Sequence, residues 1–305
     1  MRNGEFFYNA KKRIIKAYRD YFTVDGTYTS LLPDKFYIKK LYKKRLKKEI
    51  DLGNPKTYTE KLNWLKLYDR NPLYSVLADK YAVRNYVKEK IGEKYLIPLI
   101  GVWNNVDEVD YENLPNSFVL KCNHDNGVVI CKNKSDFDWE KAKQVLLSHY
   151  NRNYYKKCRE WSYKRIKKKI ICEKYMSDAN QPILVDYKFF CFNGKVKALF
   201  IATNRSVDTR FDFYDRYFNH LPIINGHPNA DIENEKPKDF EKMIYIAEKL
   251  SEGLPHVRVD LYYINEQIYF GEITITHFGG FTPLEPDEWE YIFGKWIELP
   301  KKKRR

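Results

Sequence analysis

Two carboxylates within residues 257 to 283 are the strongest sign of chemistry in the sequence. Asp260 lies in the middle of an apolar, β-branched stretch and Glu272 in the middle of a second one, with a polar segment at residues 265 to 267 between them. This pattern predicts a β-hairpin, and pairing through its turn brings the two carboxylates together. Two unpaired carboxylates in an apolar ladder would repel each other and lose hydration. We therefore expect them to share a divalent cation, and carboxylate oxygens suit Mg²⁺, which also takes water and phosphate oxygens as ligands.

The alternation of side chains along the two strands extends this prediction. Arg258 and Asp260 share one face of the first strand, and Glu272, Thr274 and Thr276 share one face of the second, because successive side chains point to opposite sides. A cation, two carboxylates and hydroxyl groups are therefore expected to converge on one patch. The alternative is an ordinary half-exposed hairpin whose polar face carries an Arg–Glu pair, since charged cross-strand pairs are common.

The composition is that of a folded protein. The 305 residues are 43% hydrophobic and 16% aromatic, which is enough for one large domain or two ordinary ones with a sizeable core. No apolar run approaches the roughly 20 residues of a membrane span, and the first residues lack the apolar core of a signal peptide, so we expect a cytoplasmic protein. The five cysteines and six histidines show no paired ligand spacing, which argues against a zinc site or a disulfide framework.

The net charge of +14 belongs to the two ends of the chain. Residues 1 to 50 carry 14 Lys and Arg against 5 Asp and Glu, residues 301 to 305 add five positive charges, and residues 51 to 300 are neutral. Apolar spacing predicts two basic helices, at residues 5 to 22 and 33 to 49. These helices could lie on an anionic membrane surface, at its inner face, or hold a polyanionic glycan. The alternative is a solvated basic face packed on the core. The neutral middle argues against nucleic-acid binding.

The central part of the chain alternates between helical and extended patterns. Helices are predicted after residues 57 to 60 and at residues 76 to 90, 139 to 157 and 239 to 252, and strands at residues 118 to 123, 127 to 132, 170 to 173, 183 to 193 and 196 to 203, before the hairpin. Turn residues between neighbouring strands indicate antiparallel hairpins. The fold class is therefore α+β.

Two further groups of polar residues could bind a ligand. Lys121 stands at the entrance of the loop 123 to 127, whose backbone amides and glycine could cover phosphates. Asp186 and Lys188 share one face of a predicted strand. Neither the phosphate-binding motif Gly-x-x-x-x-Gly-Lys-Ser/Thr nor the dinucleotide motif Gly-x-Gly-x-x-Gly is present, so no single motif identifies the ligand.

In this order, the segments resemble the ATP-grasp superfamily, and more narrowly the TupA-like (teichuronopeptide biosynthesis type) ATP-grasp proteins of bacterial surface-polysaccharide gene clusters. The resemblance covers about residues 54 to 300. The segments that carry it are Asn-Pro-Lys-Thr-Tyr-Thr-Glu-Lys-Leu-Asn-Trp-Leu-Lys (54 to 66), Ala-Asp-Lys-Tyr-Ala-Val-Arg-Asn-Tyr-Val (78 to 87), Phe-Val-Leu-Lys-Cys-Asn-His (118 to 124), Cys-Glu-Lys-Tyr-Met (172 to 176), Asp-Tyr-Lys-Phe-Phe-Cys-Phe-Asn-Gly (186 to 194) and the hairpin. Their collinear order is more specific than any one of them.

The resemblance implies an ATP-grasp fold, in which two α+β subdomains clamp the nucleotide. The lid subdomain would cover about residues 100 to 171, and the C-terminal subdomain about residues 172 to 300. A basic helical extension, residues 1 to 53, would replace the usual N-terminal domain, and residues 301 to 305 would form a basic tail.

The resemblance also implies a nucleotide site for ATP. Lys80 and Lys121 match the two lysines that touch phosphates, and Asp186 matches the acidic residue that holds the ribose. The strand exit that lines the adenine pocket consists of Glu173, Lys174, Tyr175 and Met176. Lys188, on the same strand face as Asp186, is included in the nucleotide site.

For catalysis, the resemblance matches Arg258 and Asp260 to an Arg-x-Asp motif and Glu272 to a Glu-x-Asn motif. Asp260, Glu272 and Thr274 are the implied ligands of Mg²⁺, and Thr274 stands where the superfamily usually has asparagine. Arg258 is the implied catalytic residue, together with the two phosphate-binding lysines.

The implied activity is that of an ATP-dependent carboxylate–amine ligase that forms an amide through an acyl phosphate. The implied partners are an acidic glycan or lipid-linked saccharide and an amino donor. A sugar-nucleotide glycosyltransferase is the alternative, because Asp136-Phe137-Asp138 spells the Asp-x-Asp motif of a metal site, although Asp138 would equally serve as a helix N-cap. A non-catalytic adaptor for glycans or membranes is the third class, and only the terminal charge favours it.

Overall fold

The structure is a computed structural model, and it describes residues 32 to 178, 184 to 203, 208 to 230 and 234 to 301, together with the backbone of a short hairpin, Thr23–Val24 (β1) and Thr27–Tyr28 (β2). The basic helix predicted at residues 5 to 22 lies outside the described residues. Within these ranges, no helix has the length and apolarity needed to cross a membrane.

The described helices and strands alternate along the chain. The helices are Asp34–Leu46 (α1), Tyr58–Tyr68 (α2), Leu73–Ala78 (α3), Val83–Ile91 (α4), Trp139–Tyr150 (α5), Tyr154–Cys158 (α6), Phe240–Leu250 (α7) and Glu288–Trp296 (α8). The longer strands are Leu99–Trp103 (β3), Phe118–Cys122 (β4), Val128–Cys131 (β5), Ile170–Lys174 (β6), Asp186–Phe192 (β7), Lys195–Thr203 (β8), Arg210–Asp215 (β9), His220–Leu221 (β10), His256–Ile264 (β11) and Gln267–Thr274 (β12).

These longer strands form two antiparallel sheets. The central sheet has the order β10-β9-β8-β7-β11-β12, and the lid sheet has the order β3-β6-β4-β5. The predicted hairpin is β11 and β12, joined by a two-residue turn in which Asn265 and Glu266 both have positive φ, 47° and 60°. This left-handed geometry suits a tight hairpin, because its twist matches that of the paired strands. The expectation of mainly antiparallel hairpins is confirmed.

Alternation along the central strands divides the core into two layers. On one face, Phe189 and Val259 pack with Met243 of α7. On the other face, Phe190 packs with Phe293 of α8 and with other aromatic residues of the sheet, beneath α2. Polar side chains on the face that carries Phe190 therefore lie among aromatic rings where no helix covers the sheet.

The second predicted basic helix is present as α1. It buries Tyr37, Ile38 and Leu41 and leaves the lysines between them exposed, so that a continuous basic surface faces outward. The hydroxyl of Tyr37 donates a hydrogen bond to the Lys157 carbonyl oxygen at 2.8 Å. This hydrogen bond attaches α1 to α6, the short helix that follows α5.

The prediction of one helix over residues 76 to 90 is wrong, because the helix breaks at Asp79. The Asp79 carboxylate accepts hydrogen bonds from the backbone N–H groups of Tyr81 (2.9 Å) and Ala82 (3.2 Å), and so initiates a new helix, α4. The backbone N–H of Lys80 instead donates to the Asn123 carbonyl oxygen at 3.0 Å. At the break, the Lys80 backbone is therefore hydrogen-bonded to the loop at residues 123 to 127, called the lid loop below.

The predicted helix over residues 139 to 157 is also two helices, α5 and α6. Asn151 and Asn153 flank the break, and asparagine favours helix ends over helix interiors. The Lys168 ammonium group donates hydrogen bonds to the carbonyl oxygens of Tyr150 (2.6 Å) and Arg152 (3.2 Å), which the interrupted helix leaves without helical partners.

Candidate active site

The polar face of the hairpin is arranged as the alternation predicts. Arg258 is paired with Thr274 across the two strands, and Asp260 is paired with Glu272, with a β-bulge directly after Asp260. The bulge shifts the register by one residue, so the strand beyond it re-aims its side chains. Before the bulge, the two carboxylates and the Thr274 hydroxyl share one face of the paired strands, and they surround one guanidinium group.

Arg258 is the centre of this cluster and is itself buried. Its Nε and Nη2 atoms donate to the two oxygens of Asp260, both at 2.7 Å, and Nη2 also lies 3.1 Å from Glu272 Oε1 and 3.0 Å from Thr274 Oγ1. Burial by itself lowers the pKa of Arg258, but the charges of Asp260 and Glu272 raise it above its ordinary value. The guanidinium group therefore stays charged, and it is held in one orientation.

Lys188 joins the predicted ribose residue to the hairpin. Its ammonium group lies 2.6 Å from Asp186 and 2.5 Å from Asp260, and both carboxylates are buried. A continuous ion-paired chain thus runs from Asp186 through Lys188 and Asp260 to Arg258. The structure places Asp186 and Lys188 beside the Arg258 cluster, on strand β7 next to β11.

His277, a residue that sequence reasoning missed, is the fourth partner of Arg258. Nη1 of Arg258 lies 2.7 Å from Nδ1 of His277, and Nε2 of His277 lies 2.6 Å from the Asn225 side-chain oxygen. Because arginine can only donate, Nδ1 accepts and Nε2 carries the proton. Burial and the Arg258 charge lower the pKa of His277 well below its ordinary value, which agrees with this neutral form. The signal in the sequence was a single histidine directly after the apolar strand.

The oxygen atoms of this cluster fit Mg²⁺. Asp260 and Glu272 both contact the same Arg258 nitrogen, so their oxygens lie close together, and the Glu272 side chain remains 40% exposed. No group of three or more His, Cys, Asp or Glu suited to a metal occurs in the described ranges. Mg²⁺ does not require such a closed group, because it usually binds one or two carboxylates together with water and substrate phosphates. The residues that would hold the ion are Asp260, Glu272 and Thr274.

A basic cleft lies between the lid sheet and the middle of β12. The residues that line it are Lys80, Arg84, Lys121, Ile171, Glu173, Phe270 and Gly271. The Glu173 carboxylate is held by Lys121 at 2.6 Å and by Arg84 at 3.0 Å. The ammonium group of Lys80 donates to the Asp125 carbonyl oxygen at 2.7 Å, within the lid loop. The three cations therefore face one space between the two sheets.

The structure brings the predicted nucleotide residues together only in part. Lys80, Lys121 and Glu173 share the cleft, whereas the Lys174 side chain is exposed at the end of β6, and Tyr175 and Met176 are half-buried just beyond that strand. Arg84 was missed because it was assigned to an unbroken helix. Its position one residue into α4 directs it to Glu173, and no sequence pattern indicated this contact.

The Asp-x-Asp tripeptide is a helix cap. The Asp138 carboxylate accepts a hydrogen bond from the backbone N–H of Lys141 at 2.9 Å and so begins α5. Asp136 accepts hydrogen bonds from Asn133 (2.8 Å) and Ser135 (3.2 Å) in the preceding turn. These local bonds account for both carboxylates, as the N-cap alternative predicts.

The family model described as TupA-like ATP-grasp matches residues 60 to 298. The chain therefore belongs to the TupA-like ATP-grasp family, which confirms the predicted family and the ATP-grasp fold. This membership agrees with the predicted cofactors, ATP and Mg²⁺. No curated protein is significantly similar to the chain in sequence.

Solved structures of ATP-dependent enzymes show a distant similarity. A D-alanine–D-alanine ligase from Bacillus anthracis complexed with ATP is 14% identical with a TM-score of 0.39, and the match covers 66% of this chain and 54% of that one. The corresponding ligase from Helicobacter pylori is 13% identical with a TM-score of 0.42, over 79% and 69% of the two chains. An N5-carboxyaminoimidazole synthetase from Staphylococcus aureus complexed with ADP is 13% identical with a TM-score of 0.40, over 74% and 52%. The chain thus spans about half the length of two of these three enzymes.

Proposed function

We propose that the protein is a carbon–nitrogen ligase that activates a carboxylate as an acyl phosphate with ATP and then joins it to an amine. The observation that carries the proposal is the position of the Arg258 cluster next to the cleft that contains Lys80, Arg84 and Lys121. Transfer of a phosphoryl group between two anions requires fixed cations that stabilise its charge and carboxylates that can bind a metal ion.

Each group in this arrangement has a distinct part in the reaction. Lys80 and Lys121 stabilise negative charge on the phosphates. Glu173 bridges Lys121 and Arg84 and so fixes the position of both cations in the cleft. Nη1 of Arg258 keeps one hydrogen beyond the one that it gives to His277, and can direct it at the carboxylate being activated. Asp260 and Glu272 would hold Mg²⁺, which when bound would supply neutralising charge for phosphate oxygens.

The choice of nucleotide tests this proposal against the glycosyltransferase. ATP or ADP with Mg²⁺ should raise the melting temperature of the protein, because a ligand that binds only the folded state stabilises it in proportion to occupancy. UDP-glucose and UDP-glucuronate with Mg²⁺ should not raise it. The measurement is thermal unfolding with each ligand, and a Lys121→Met variant should lose most of the ADP effect. Stabilisation by a UDP-sugar alone would replace the ligase with a glycosyltransferase.

We further propose that the carboxylate belongs to a uronic acid or another acidic group of a bacterial surface polysaccharide, free or lipid-linked. What supports this is the family together with the outward basic face of α1, which is fastened to the segment beside the active site through Tyr37 and Lys157. The same basic face suits peripheral contact with an anionic membrane that presents such a glycan. A long-range attraction of this kind weakens as salt increases.

Charge reversal on α1 tests the capture of an acidic polymer. Changing Lys40, Lys43, Lys44 and Lys47 together to glutamate should weaken binding to polygalacturonate at low salt by about tenfold or more, since each exposed lysine contributes at most about 1 kcal/mol near an anionic surface. ADP affinity should be unchanged, because the cleft residues lie elsewhere. The measurement is binding to polygalacturonate at several salt concentrations, by biolayer interferometry.

The matched control reverses four exposed lysines near α7, on the other face of the central sheet. These are Lys195, Lys197, Lys238 and Lys242. Equal loss of polymer binding in both quadruple variants would show a general effect of net charge. Unchanged binding in the α1 variant would leave α1 as a covering helix of the core.

A further inference from the structure

A second pocket lies just beyond the C-terminal end of β12. The basic cleft that contains Lys80, Arg84 and Lys121, called the nucleotide cleft below, lies beside the middle of the same strand. The residues that line the second pocket include Lys66, Asp69, Tyr74, Glu160, Trp161, Ser162, Ile275 and Thr276. The nucleotide cleft includes Phe270 and Gly271, whereas this pocket includes Thr276. Strands rise roughly 3.3 Å per residue, so the two spaces lie on either side of the Glu272 and Thr274 cluster. A molecule in the second pocket would approach the reacting groups from the side opposite the nucleotide.

The pocket contains a buried carboxylate, Glu160. The residue is only 7% exposed, and its side chain is hydrogen-bonded to that of Thr276. Burial raises the pKa of Glu160 to about 7, because the charged form loses hydration. Within the described part of the chain, no cationic nitrogen lies within 4 Å of this carboxylate. Glu160 therefore forms no ion pair there, although the charges of Lys66 and Lys157 partly offset the rise in its pKa.

The nearest cation, Lys66, is committed to other partners. Its ammonium group donates to the carbonyl oxygens of Cys158 (2.9 Å) and Gly279 (2.5 Å), and it lies 4.1 Å from the centre of the Phe281 ring. These contacts occupy its three hydrogens. Lys66 thereby fixes the backbone around Glu160 without forming an ion pair with it.

Two tyrosines connect the pocket with the catalytic cluster. The rings of Tyr154 and Tyr163 lie 4.6 Å apart, and both hydroxyl groups are close enough to Glu160 and Glu272 for these carboxylates to help raise their pKa, although burial is the larger cause. The segment that carries Glu160 therefore lines the second pocket and also lies within electrostatic range of Glu272.

We infer that this pocket binds the amine donor of the reaction, with the Glu160 carboxylate facing the donor's ammonium group. The inference rests on the proposed ligase function. An ammonium group would supply the direct ion-pair partner that Glu160 lacks among the described residues, whereas an acidic acceptor would be repelled. Thr276, Ser162 and the aromatic side chains of Tyr74 and Trp161 give the pocket a mixed lining that suits a primary amine carrying a short side chain.

The amide-forming step then balances. The amine nitrogen forms a bond to the acyl carbon, the bond from that carbon to the phosphate oxygen breaks, and phosphate leaves with the electron pair. The ammonium group has three hydrogens. One passes to the Glu160 carboxylate, one passes to the departing phosphate, and one stays on the amide nitrogen. No further reactant is needed.

The test compares amine binding by the parent protein and by Glu160→Gln, both loaded with Mg²⁺ and ADP. Saturation-transfer NMR is run with ethylamine, ethanolamine and the twenty common amino acids, with ethanol and acetate as probes of other charge. We expect at least one amine to bind the parent, and its affinity to fall about tenfold or more in Glu160→Gln, since a buried charge pair is lost. ADP affinity should not change.

Two further variants keep the outcome decisive. Glu160→Asp retains the charge and should retain part of the amine affinity. Glu290→Gln neutralises another buried carboxylate, one that accepts hydrogen bonds from Thr59 and from the Leu284 backbone, and should leave amine binding intact. Unchanged amine binding in Glu160→Gln, or no amine binding by a parent protein that binds ADP, would overturn the inference alone. A parent protein that fails to bind ADP would overturn the ligase proposal and this inference with it.

Discussion

Glu272→Gln is expected to reduce ATP turnover by about 10²- to 10³-fold while leaving the fold intact, a loss of the size seen when one preorganised charge is removed from an active site. The amide has nearly the shape of the carboxylate, so packing is kept. Because the Glu272 side chain is 40% exposed, water still solvates the amide that replaces the carboxylate. What is lost is an anionic oxygen for Mg²⁺ and part of the charge that holds Arg258.

The matched control for this variant is Glu266→Gln in the turn of the same hairpin. Glu266 is exposed and lies 3.4 Å from Lys238, far from the cluster. Turnover, measured as ADP release at several Mg²⁺ concentrations, should be normal in Glu266→Gln, and in Glu272→Gln excess Mg²⁺ should recover it only in part. Near-parental ADP release by Glu272→Gln would mean that the hairpin is not the magnesium site.

The hairpin was predictable from sequence because its determinants are local. Apolar residues with a period of two indicate the strands, and a polar turn of the right length fixes the register. Register then determines which side chains meet, so the pairing of Asp260 with Glu272 follows without knowledge of the rest of the fold. The turn between β7 and β8, at Asn193 and Gly194, is local in the same sense.

The residues that sequence reasoning missed depend on contacts between distant segments. Arg84 meets Glu173 across 89 positions of the chain, and His277 meets Asn225 across 52. Glu160 has no distinctive neighbours in sequence, and its burial arises only when the segment after α6 packs against the end of β12. Periodicity does not reveal such pairs, because neither partner changes the local pattern.

The broken helix at Asp79 shows how a local signal can be overridden. Residues 76 to 90 have continuous helical periodicity, but an aspartate competes with the helix by bonding to backbone N–H groups two and three positions ahead. The Asn123 side chain donates a further hydrogen bond to the same Asp79 carboxylate oxygen at 2.8 Å, which stabilises the interrupted conformation. The break thus depends on the loop at residues 123 to 127, and it also directs Lys80 to the cleft that contains Arg84 and Lys121.

Asp260→Asn is expected to destabilise the protein by about 3 kcal/mol, in contrast to the milder effect expected at Glu272. Sequence alone treats the two carboxylates as equivalent. In the structure, Asp260 is 1% exposed and neutralises both Arg258 and Lys188, each also buried. Removing one partner of a buried ion pair leaves a cation without compensation, which typically costs 3 to 5 kcal/mol. Asp186 and Glu272 compensate in part, so the lower end of this range is expected.

The measurement is the free energy of unfolding in urea, with Asp212→Asn as the control. Asp212 is also buried, but it accepts its hydrogen bonds from the Ala230 backbone and the Asn234 side chain, and these neutral donors lose little when the carboxylate becomes an amide. Asp260→Asn should therefore unfold at a clearly lower urea concentration than Asp212→Asn, with the same dependence on urea. Equal stability of the two variants would mean that Arg258 and Lys188 are balanced by Asp186 and Glu272 alone. The role of Asp260 would then be to bind the metal ion rather than to stabilise the fold.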